Sequence, residues 1–297
     1  MSLSDSNPAA FSRFDAKPLA AALGAEIFGL DLSQPLATQA ALELEIALAH
    51  YGVLVFHDQR LTPRRHIALA ESLGEIEVNR FFRSVEGYPE IAEVRKDADQ
   101  TSNIGGGWHT DHSYDLSPAK ASILYARELP SRGGDTLFAS AARAYDALSP
   151  GLKATLGGLR ALHSSRHVFG YEGAARTRGD LPGRILHPEL AAQDAIHPVA
   201  LRHPLTGRRA LYVNPGFTVR FEGWTAPESA SLLSYLYEEV VREAFVFRLV
   251  WREGTLAIWD NRTTWHKAEN DYLGERRLMH RITLAGEPLA TRDEETG

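Results

Sequence analysis

The segment WHTD, residues 108–111, places a histidine and an aspartate two positions apart and directly after three glycines. In an extended strand, residues i and i+2 point to the same face, so His109 and Asp111 can present an imidazole and a carboxylate to one metal ion. Two histidines and one carboxylate on one face of an octahedron leave three positions open, the arrangement that non-haem Fe(II) oxygenases use. The pattern therefore predicts a metal site that needs a second histidine from elsewhere in the chain.

His266 is the candidate for that second histidine, because it follows a strand-like run, TLAIWD, and a short polar turn. The next strand-like segment contains Arg277 and Arg281, which lie four positions apart and would share a face. A guanidinium binds a carboxylate through two parallel hydrogen bonds. Two arginines beside an open metal site therefore indicate two anionic ligands, a cosubstrate and a substrate.

The overall composition limits the classes of protein to which the chain can belong. A formal net charge of -6 argues against a nucleic-acid-binding protein, because such proteins neutralise phosphates with clustered positive charge. The sequence has no run of about 18 apolar residues and starts without a signal-peptide pattern, so we expect no membrane partner and a cytoplasmic location. The absence of cysteine leaves histidine, carboxylate and water as the possible metal ligands.

Short runs rich in β-branched and aromatic residues predict a mostly β protein, a sandwich or barrel with flanking helices. Amphipathic spacing predicts helices over 38–50, ended by Gly52, and over 226–243, while Thr62 and Pro63 predict the start of another. The strand-like runs are VLVFHD, IAEVR, ASILYARE, DTLFAS, ALYVN, FVFRLVW, TLAIWD and LMHRITL. Their irregular spacing and the lack of a GxGxxG motif argue against a Rossmann domain.

Several motifs together resemble the taurine dioxygenase (TauD/TfdA) family of Fe(II)- and 2-oxoglutarate-dependent oxygenases. They are WHTD (108–111), GGDT (133–136), WDNR (259–262), the histidine at 266 and RRLMHR (276–281). Their order and spacing match those of the family along nearly the whole chain. The resemblance implies a distorted double-stranded β-helix, a cupin-like jelly roll, in a single domain over residues 1–297. It also suggests a homo-oligomer.

The resemblance implies a role for each matched residue. The two histidines and the aspartate described above would hold Fe(II). Thr136 and Arg277 would bind the distal carboxylate of 2-oxoglutarate, and Arg281 would bind the anionic group of the substrate. With O2 as the oxidant, an enzyme of this kind hydroxylates its substrate and releases succinate and CO2.

The predicted substrate is a small anionic molecule with an apolar body, either an aryloxyalkanoate or an N-acyl amino acid. Taurine-specific members have histidine, tyrosine and asparagine at the positions that here hold Asn79, Phe82 and Gly105, which disfavours taurine. The segments HSSRHVFG, LYVN and EGWTAPES resemble aryloxyalkanoate dioxygenases, whereas the tail RITLAGEP is closer to alkylsulfatases, so a sulfonate or sulfate ester is the alternative. The residues expected to contact the substrate are Arg281, Asn79, Phe82, Arg83, Arg166, Phe81 and Phe169.

Two alternative functions use the same residues without oxygenase chemistry. A zinc hydrolase would lower the pKa of a bound water, but the sequence has no HExxH motif to supply a general base. A non-enzymatic jelly-roll protein would only bind a ligand. Strand alternation is expected to turn His112 and His280 away from the site. The polar, glycine- and proline-punctuated segment 174–193 is interpreted either as a mobile lid or as an ordinary surface loop.

Overall fold

The structure is a computed structural model that describes residues 11–171, 173 and 185–289, and strands predominate over helices in that part of the chain. The strands are β1 (Asp15–Pro18), β2 (Ala25–Phe28), β3 (Val53–Phe56), β4 (Ile76–Glu77), β5 (Ser84–Val85), β6 (Tyr88–Lys96), β7 (Ala121–Glu128), β8 (Thr136–Ser140), β9 (Arg160–Ser164), β10 (Asp194–Pro198), β11 (Ala200–Arg202), β12 (Arg209–Leu211), β13 (Thr218–Phe221), β14 (Val246–Leu249), β15 (Leu256–Asp260), β16 (Thr264–Ala268) and β17 (Arg277–Leu284). This composition confirms the mostly β fold that the sequence predicts.

The flanking helices begin and end where the local sequence requires it. They are α1 (Thr38–Tyr51), α2 (Pro63–Leu73), α3 (Ala141–Ala147), α4 (Pro150–Leu156), α5 (Arg166–Phe169) and α6 (Ala226–Val240), with short 3-10 turns at Pro188–Leu190 and Glu243–Phe245. Thr62 caps α2 by accepting a hydrogen bond from Arg65 N at 3.3 Å. Gly52 ends α1 with a φ of +73°, a conformation that favours glycine. The last helix ends at Val240, earlier than the sequence predicts.

Two β-sheets pack face to face around a shared core. The large sheet has the strand order β1-β2-β3-β15-β7-β17-β6-β5, with β4 paired to β17, and the small sheet has the order β14-β8-β16. Side chains from both sheets form one buried cluster, and the rings of Phe138 on β8 and Trp259 on β15 lie 5.5 Å apart within it. The arrangement is a sandwich with an apolar cluster between its two sheets.

Helices cover the outside of this sandwich. Leu44 and Leu48 of α1 and Leu69 of α2 share a buried cluster with residues of the large sheet. Tyr145 of α3 and Leu236 of α6 pack in a second cluster beside the small sheet. Among the described residues, no helix is both long enough and apolar enough to cross a bilayer.

Strands β16 and β17 place the residues that the motifs single out. β16 pairs with β8 so that His266 lies opposite Phe138, and β17 pairs with β7 so that Arg281 lies opposite Leu124. Arg277 and Arg281 lie at the same parity along β17 and therefore share a face, as predicted. Strand β16 has only five residues and mixes polar and aromatic side chains, so no sequence pattern predicts it.

Candidate metal centre

The two histidines of the candidate site are joined through their backbones. His109 N donates to His266 O at 3.1 Å, and His266 N donates to His109 O at 2.8 Å, which makes an isolated antiparallel bridge. Their rings lie beside each other with centroids 4.1 Å apart. The bridge therefore fixes the relative position of two imidazoles that are distant in sequence.

Asp111 completes the cluster from a turn rather than from a strand. Residues 111–114 form the turn, and His112 has a φ of +56°, which is incompatible with continuing a strand. Asp111 is the first residue of this turn, and its side chain converges with that of His109 on one point, as the sequence predicts. The Asp111 carboxylate lies 3.7 Å from His109 Nε2 and 3.9 Å from His266 Nε2. One possible ligand atom from each residue lies within 4.8 Å of the other two.

The surroundings keep these groups in the protonation states that bind metals. His109 Nδ1 lies 2.8 Å from Gly107 O, so the hydrogen is on Nδ1 and Nε2 presents its lone pair. Burial lowers the pKa of His109 and of His266, which favours the neutral imidazole. Burial alone would raise the pKa of Asp111, but the charge of Arg281 and then the nearby histidines outweigh it and lower the pKa below its ordinary value. Two neutral imidazoles and one carboxylate fit a divalent transition-metal ion.

Arg277 is held by the glycine pair of the GGDT motif. Its Nε donates to Gly134 O at 3.0 Å. Gly133 and Gly134 have φ values of +74° and +71°, and a Cβ on Gly134 would lie 3.1 Å from Arg277 Cδ. Asp271 fixes the loop by accepting a hydrogen bond from Gly134 N at 2.8 Å. The motif needs glycine at these positions because the backbone is left-handed and the arginine lies against it.

Arg277 and Thr136 leave hydrogen-bonding capacity for a ligand. Arg277 is buried, its Nη2 has no hydrogen-bond partner, and burial lowers its pKa. Thr136 accepts a hydrogen bond at Oγ1 from Trp251 Nε1 at 2.9 Å, which leaves the threonine hydroxyl hydrogen free to donate. An unpaired buried guanidinium is costly, so this end of the site suits an anion such as a carboxylate. Trp251 could not be recognised from the sequence, because a tryptophan in a strand-like run gives no spacing signal.

Arg281 lies against both the metal cluster and an aromatic wall. Its Nη1 donates to Asp111 Oδ1 at 3.1 Å, and its guanidinium lies 5.0 Å from the centre of the Phe82 ring. Its Nε is buried without a hydrogen-bond partner. The side chain can therefore donate to an incoming anion while it stays in contact with the aspartate.

A cavity of about 270 Å³ lies over the cluster, and its lining falls into two groups. One group belongs to the core between the sheets and consists of Val94, Leu124 and Trp259. The other belongs to a separate aromatic cluster near Arg281 and consists of Ile104, Tyr114, Phe82, Val168, Phe169, Ile185 and Phe217. Arg277 and Thr136 also line the cavity, and its aromatic compartment lies beside Arg281.

The structure places only some of the predicted substrate-contacting residues in this cavity. Asn79, Gly105, Phe82 and Phe169 line it, and Phe81 stands behind it, stacked on Phe169 with ring centroids 4.4 Å apart. Arg83 is exposed and is not part of the lining. Arg166 is also outside the lining, because its side chain is 59% exposed and binds Asp194 at 3.2 Å and Ala192 O at 2.6 Å. The structure therefore does not support the expectation that Arg83 and Arg166 contact the substrate directly.

His112 corrects a second expectation. It lines the cavity instead of pointing away from it, because the left-handed backbone at this residue breaks the strand alternation on which the expectation depended. His280 does lie outside the lining, as expected. The proposed lid, 174–193, falls largely outside the described residues. In its described part, Ile185 forms an isolated bridge with Phe82 and contributes to the wall of the cavity.

Comparison with known proteins agrees with this geometry. The sequence matches the taurine catabolism dioxygenase TauD, TfdA family over residues 15–283. An alpha-ketoglutarate-dependent sulfate ester dioxygenase of Pseudomonas putida is 32% identical over 279 residues, which cover 92% of this chain and 90% of that protein. An (S)-phenoxypropionate/alpha-ketoglutarate-dioxygenase of Sphingobium herbicidovorans is 32% identical over 283 residues, which cover 93% of this chain and 96% of that protein.

A solved structure gives the same result for the fold. The crystal structure of AAD-2 in complex with Mn(II) and N-oxalylglycine has a TM-score of 0.75 and 29% identity, and the match covers 93% of this chain and 99% of that one. The predicted jelly-roll fold is thereby confirmed, and the hydrolase and non-enzymatic alternatives are set aside. The chain belongs to the taurine dioxygenase (TauD/TfdA) family and is a dioxygenase that uses Fe(II), 2-oxoglutarate (alpha-ketoglutarate) and O2.

Proposed function

We propose that this dioxygenase hydroxylates a small carboxylate with an apolar body, an aryloxyalkanoate or an N-acyl amino acid. The observation that carries the proposal is the pairing of Arg281 with an aromatic compartment on the same side of the metal cluster. A guanidinium that retains an unpartnered donor suits an anionic group, and the surrounding rings suit an apolar body.

In this proposal, His109, Asp111 and His266 hold Fe(II). The bound iron, with 2-oxoglutarate and O2, supplies the oxidising power that hydroxylates a C–H bond and releases succinate and CO2. The neutral imidazoles and the ionised carboxylate need no proton loss before they bind the metal at neutral pH.

Thr136 and Arg277 bind the distal carboxylate of 2-oxoglutarate in this proposal. The unpartnered Nη2 of Arg277 and the free hydroxyl hydrogen of Thr136 are both donors, as a carboxylate requires. Val94, Leu124 and Trp259 line the same cavity and would exclude water from the methylene groups of the cosubstrate.

The substrate occupies the aromatic compartment. Arg281 donates to its anionic group, while Phe82, Phe169 and Phe217 pack against its body. Asn79 contributes less to substrate binding than its position suggests, since its Oδ1 already accepts hydrogen bonds from Phe81 N and Phe82 N at 2.9 and 3.0 Å. Its main part is to hold the backbone that carries Phe82.

An alkyl sulfate ester or sulfonate is the second candidate. It is favoured by the similarity to the Pseudomonas putida sulfate ester dioxygenase, which equals the similarity to the phenoxypropionate enzyme at 32% identity. A sulfate group carries the same single charge that Arg281 would meet. The two candidates therefore differ in the head group and share the requirement for an apolar body.

The test is a comparison of matched substrates with the Fe(II)-loaded full chain. Phenoxyalkanoates and N-acyl amino acids are compared with alkyl sulfates and alkanesulfonates of similar length, and succinate and oxidised product are both measured. We expect equal amounts of succinate and hydroxylated product from at least one carboxylate class. Coupled turnover with the sulfates or sulfonates alone would replace the first candidate by the second. The His266→Ala protein is the control for metal-independent loss of 2-oxoglutarate.

A further inference from the structure

We propose that Ser122 and Asn261 are positioning residues that orient Asp111 for metal binding. The inference rests on the proposed metal ligands and adds two residues to them. The sequence gives neither residue a role in the site, since Ser122 lies inside the strand-like run ASILYARE and Asn261 is one residue of the WDNR motif.

The contacts form a short buried chain of hydrogen bonds. Ser122 Oγ donates to Asp111 Oδ2 at 2.7 Å, and Asn261 Nδ2 donates to Ser122 Oγ at 3.1 Å. Ser122 is 0% exposed, Asn261 is 1% exposed and Asp111 is 4% exposed, so water does not compete for these bonds.

The chemistry of the donors fixes the direction of this chain. A serine hydroxyl has one hydrogen, and an ionised carboxylate can only accept. If the Asn261 amide were reversed, the hydroxyl would face two acceptors with a single hydrogen, so the orientation with Nδ2 toward Ser122 is the favoured one. The hydroxyl hydrogen is then committed to Asp111.

The turn that carries Asn261 is anchored on the same segment that supplies the ligands. Thr110 Oγ1 donates to Asn261 O, and Asn261 N donates to Lys120 O at 3.0 Å. The bridge between His109 and His266 ties the other end of this turn to the same segment. Through Ser122, Asn261 therefore couples the position of the turn to the orientation of the Asp111 carboxylate.

Ser122 and Arg281 bind different oxygens of the Asp111 carboxylate. Arg281 Nη1 holds Oδ1 at 3.1 Å, while Ser122 holds Oδ2 at 2.7 Å. Without the serine hydroxyl, the carboxylate would be free to turn toward the guanidinium and form a two-point ion pair with it. Such a pair would occupy the lone pairs that the metal needs. Partners of this kind around metal ligands are worth about 10- to 100-fold in metal affinity.

The test is titration of the metal-free full chain with Co(II), followed by calorimetry and by the visible absorption of the bound ion. We expect Ser122→Ala and Asn261→Ala each to raise the Kd for Co(II) by about tenfold and to change the absorption spectrum. The double variant should be little worse than Ser122→Ala alone, because Asn261 acts through the serine.

Ser229→Ala is the matched control. Ser229 is also 0% exposed, accepts a hydrogen bond from Phe221 N at 3.0 Å and donates one to Thr225 O at 2.9 Å, but it lies in α6 away from the cluster. It should lower the melting temperature without changing the Kd or the spectrum. If Ser122→Ala does not fold, Asn261→Ala still decides the matter.

An unchanged Kd and spectrum in Ser122→Ala, or in Asn261→Ala when the serine variant does not fold, would overturn the inference while leaving the metal site intact. Fully additive losses in the double variant would overturn the relay through Ser122. Absence of Co(II) binding by the wild-type chain would instead overturn the proposed ligand set itself, so the two failures are distinguishable.

Discussion

Within the part of the chain that the structure describes, two clusters bring imidazole and carboxylate atoms within 4.8 Å of one another, but their surroundings differ. The first consists of His109, Asp111 and His266. The second, which we call the Glu77 cluster, consists of Glu77, His112 and Asp115. Spacing alone would make either of them a candidate metal site.

In the Glu77 cluster, hydrogen bonds and ion pairs already occupy the lone pairs that a metal would need. His112 Nδ1 lies 3.1 Å from Glu77 Oε1 and 3.2 Å from Asp115 Oδ2, and Arg80 forms ion pairs with both carboxylates. Burial lowers the pKa of His112, but hydrogen bonds to Asp115 and Glu77 outweigh it and raise the pKa to about 9. A protonated imidazole whose partners are already paired cannot ligate a cation.

In the first cluster, by contrast, burial keeps both rings neutral, and the contact between His109 Nδ1 and Gly107 O leaves the Nε2 lone pair of His109 directed at the carboxylate. The comparison teaches that lone pairs left free, rather than distances, distinguish a metal site from a structural ion-pair network.

The largest effect is expected from a substitution that removes a member of the first cluster. His266→Ala removes one of the two proposed imidazole ligands, so we expect metal affinity to fall by more than about a hundredfold and decarboxylation of 2-oxoglutarate to stop. Co(II) titration and succinate formation measure the two losses. The melting temperature of the metal-free protein serves as the control for folding. A variant that still bound one Co(II) with wild-type affinity would contradict the ligand assignment.

The next largest effect is expected for Arg277, and Arg80 provides the comparison. Arg277 has a buried Nη2 without a partner, whereas Arg80 is already bound to the Glu77 cluster. Arg277→Ala should raise the KM for 2-oxoglutarate by about 10- to 100-fold, since a hydrogen bond to a charged group contributes about 1.5–3 kcal/mol. Arg80→Ala should destabilise the fold and leave that KM unchanged. Steady-state kinetics with saturating primary substrate decide between the two arginines, and equal shifts would contradict the proposal.

Much of this site could be predicted from the sequence because its residues come in short motifs. The segment holding His109 and Asp111, the strand holding Arg277 and Arg281, and the histidine at 266 all have recognisable spacing. The turn at Asp111 could not be predicted, since it depends on a left-handed residue that is not glycine.

Contacts between distant elements could not be predicted from the sequence either. The bond from Ser122 to Asp111 and the bond from Trp251 to Thr136 join residues that no local pattern relates. For Arg83 and Arg166, charge and proximity to aromatic residues gave no information on the direction of the side chain. Only the packing of neighbouring elements decides that direction, and it turns both away from the cavity.

A smaller effect, the pH dependence of the free energy of unfolding, also distinguishes the two clusters. The pKa of His112 is raised to about 9 from an ordinary value of 6.5, so its stabilisation is complete below pH 6.5 and is lost as the pH rises toward 9. For His266 the pKa is lowered, so stability is lost as the pH falls below 6.5. Urea unfolding of the metal-free chain at pH 6 and pH 9 should show a decrease in the free energy of unfolding that His112→Gln reduces by on the order of 1 kcal/mol. A decrease of the same size in His112→Gln and wild type would contradict this origin.

The smallest effect is expected where spacing alone would have predicted a second metal site. Glu77→Gln removes a charge from the Glu77 cluster but leaves the first cluster untouched, because Glu77 makes its contacts with Arg80 and His112. The number of Co(II) ions bound per chain should stay at about one, and the Kd should change by no more than about twofold, since Glu77 contacts none of the three proposed ligands. Calorimetric titration measures both quantities, with Asp115→Asn as the parallel variant. A loss of one bound ion in either variant would mean that the ion pairs of the Glu77 cluster open to admit a metal, and the distinction drawn from free lone pairs would no longer hold.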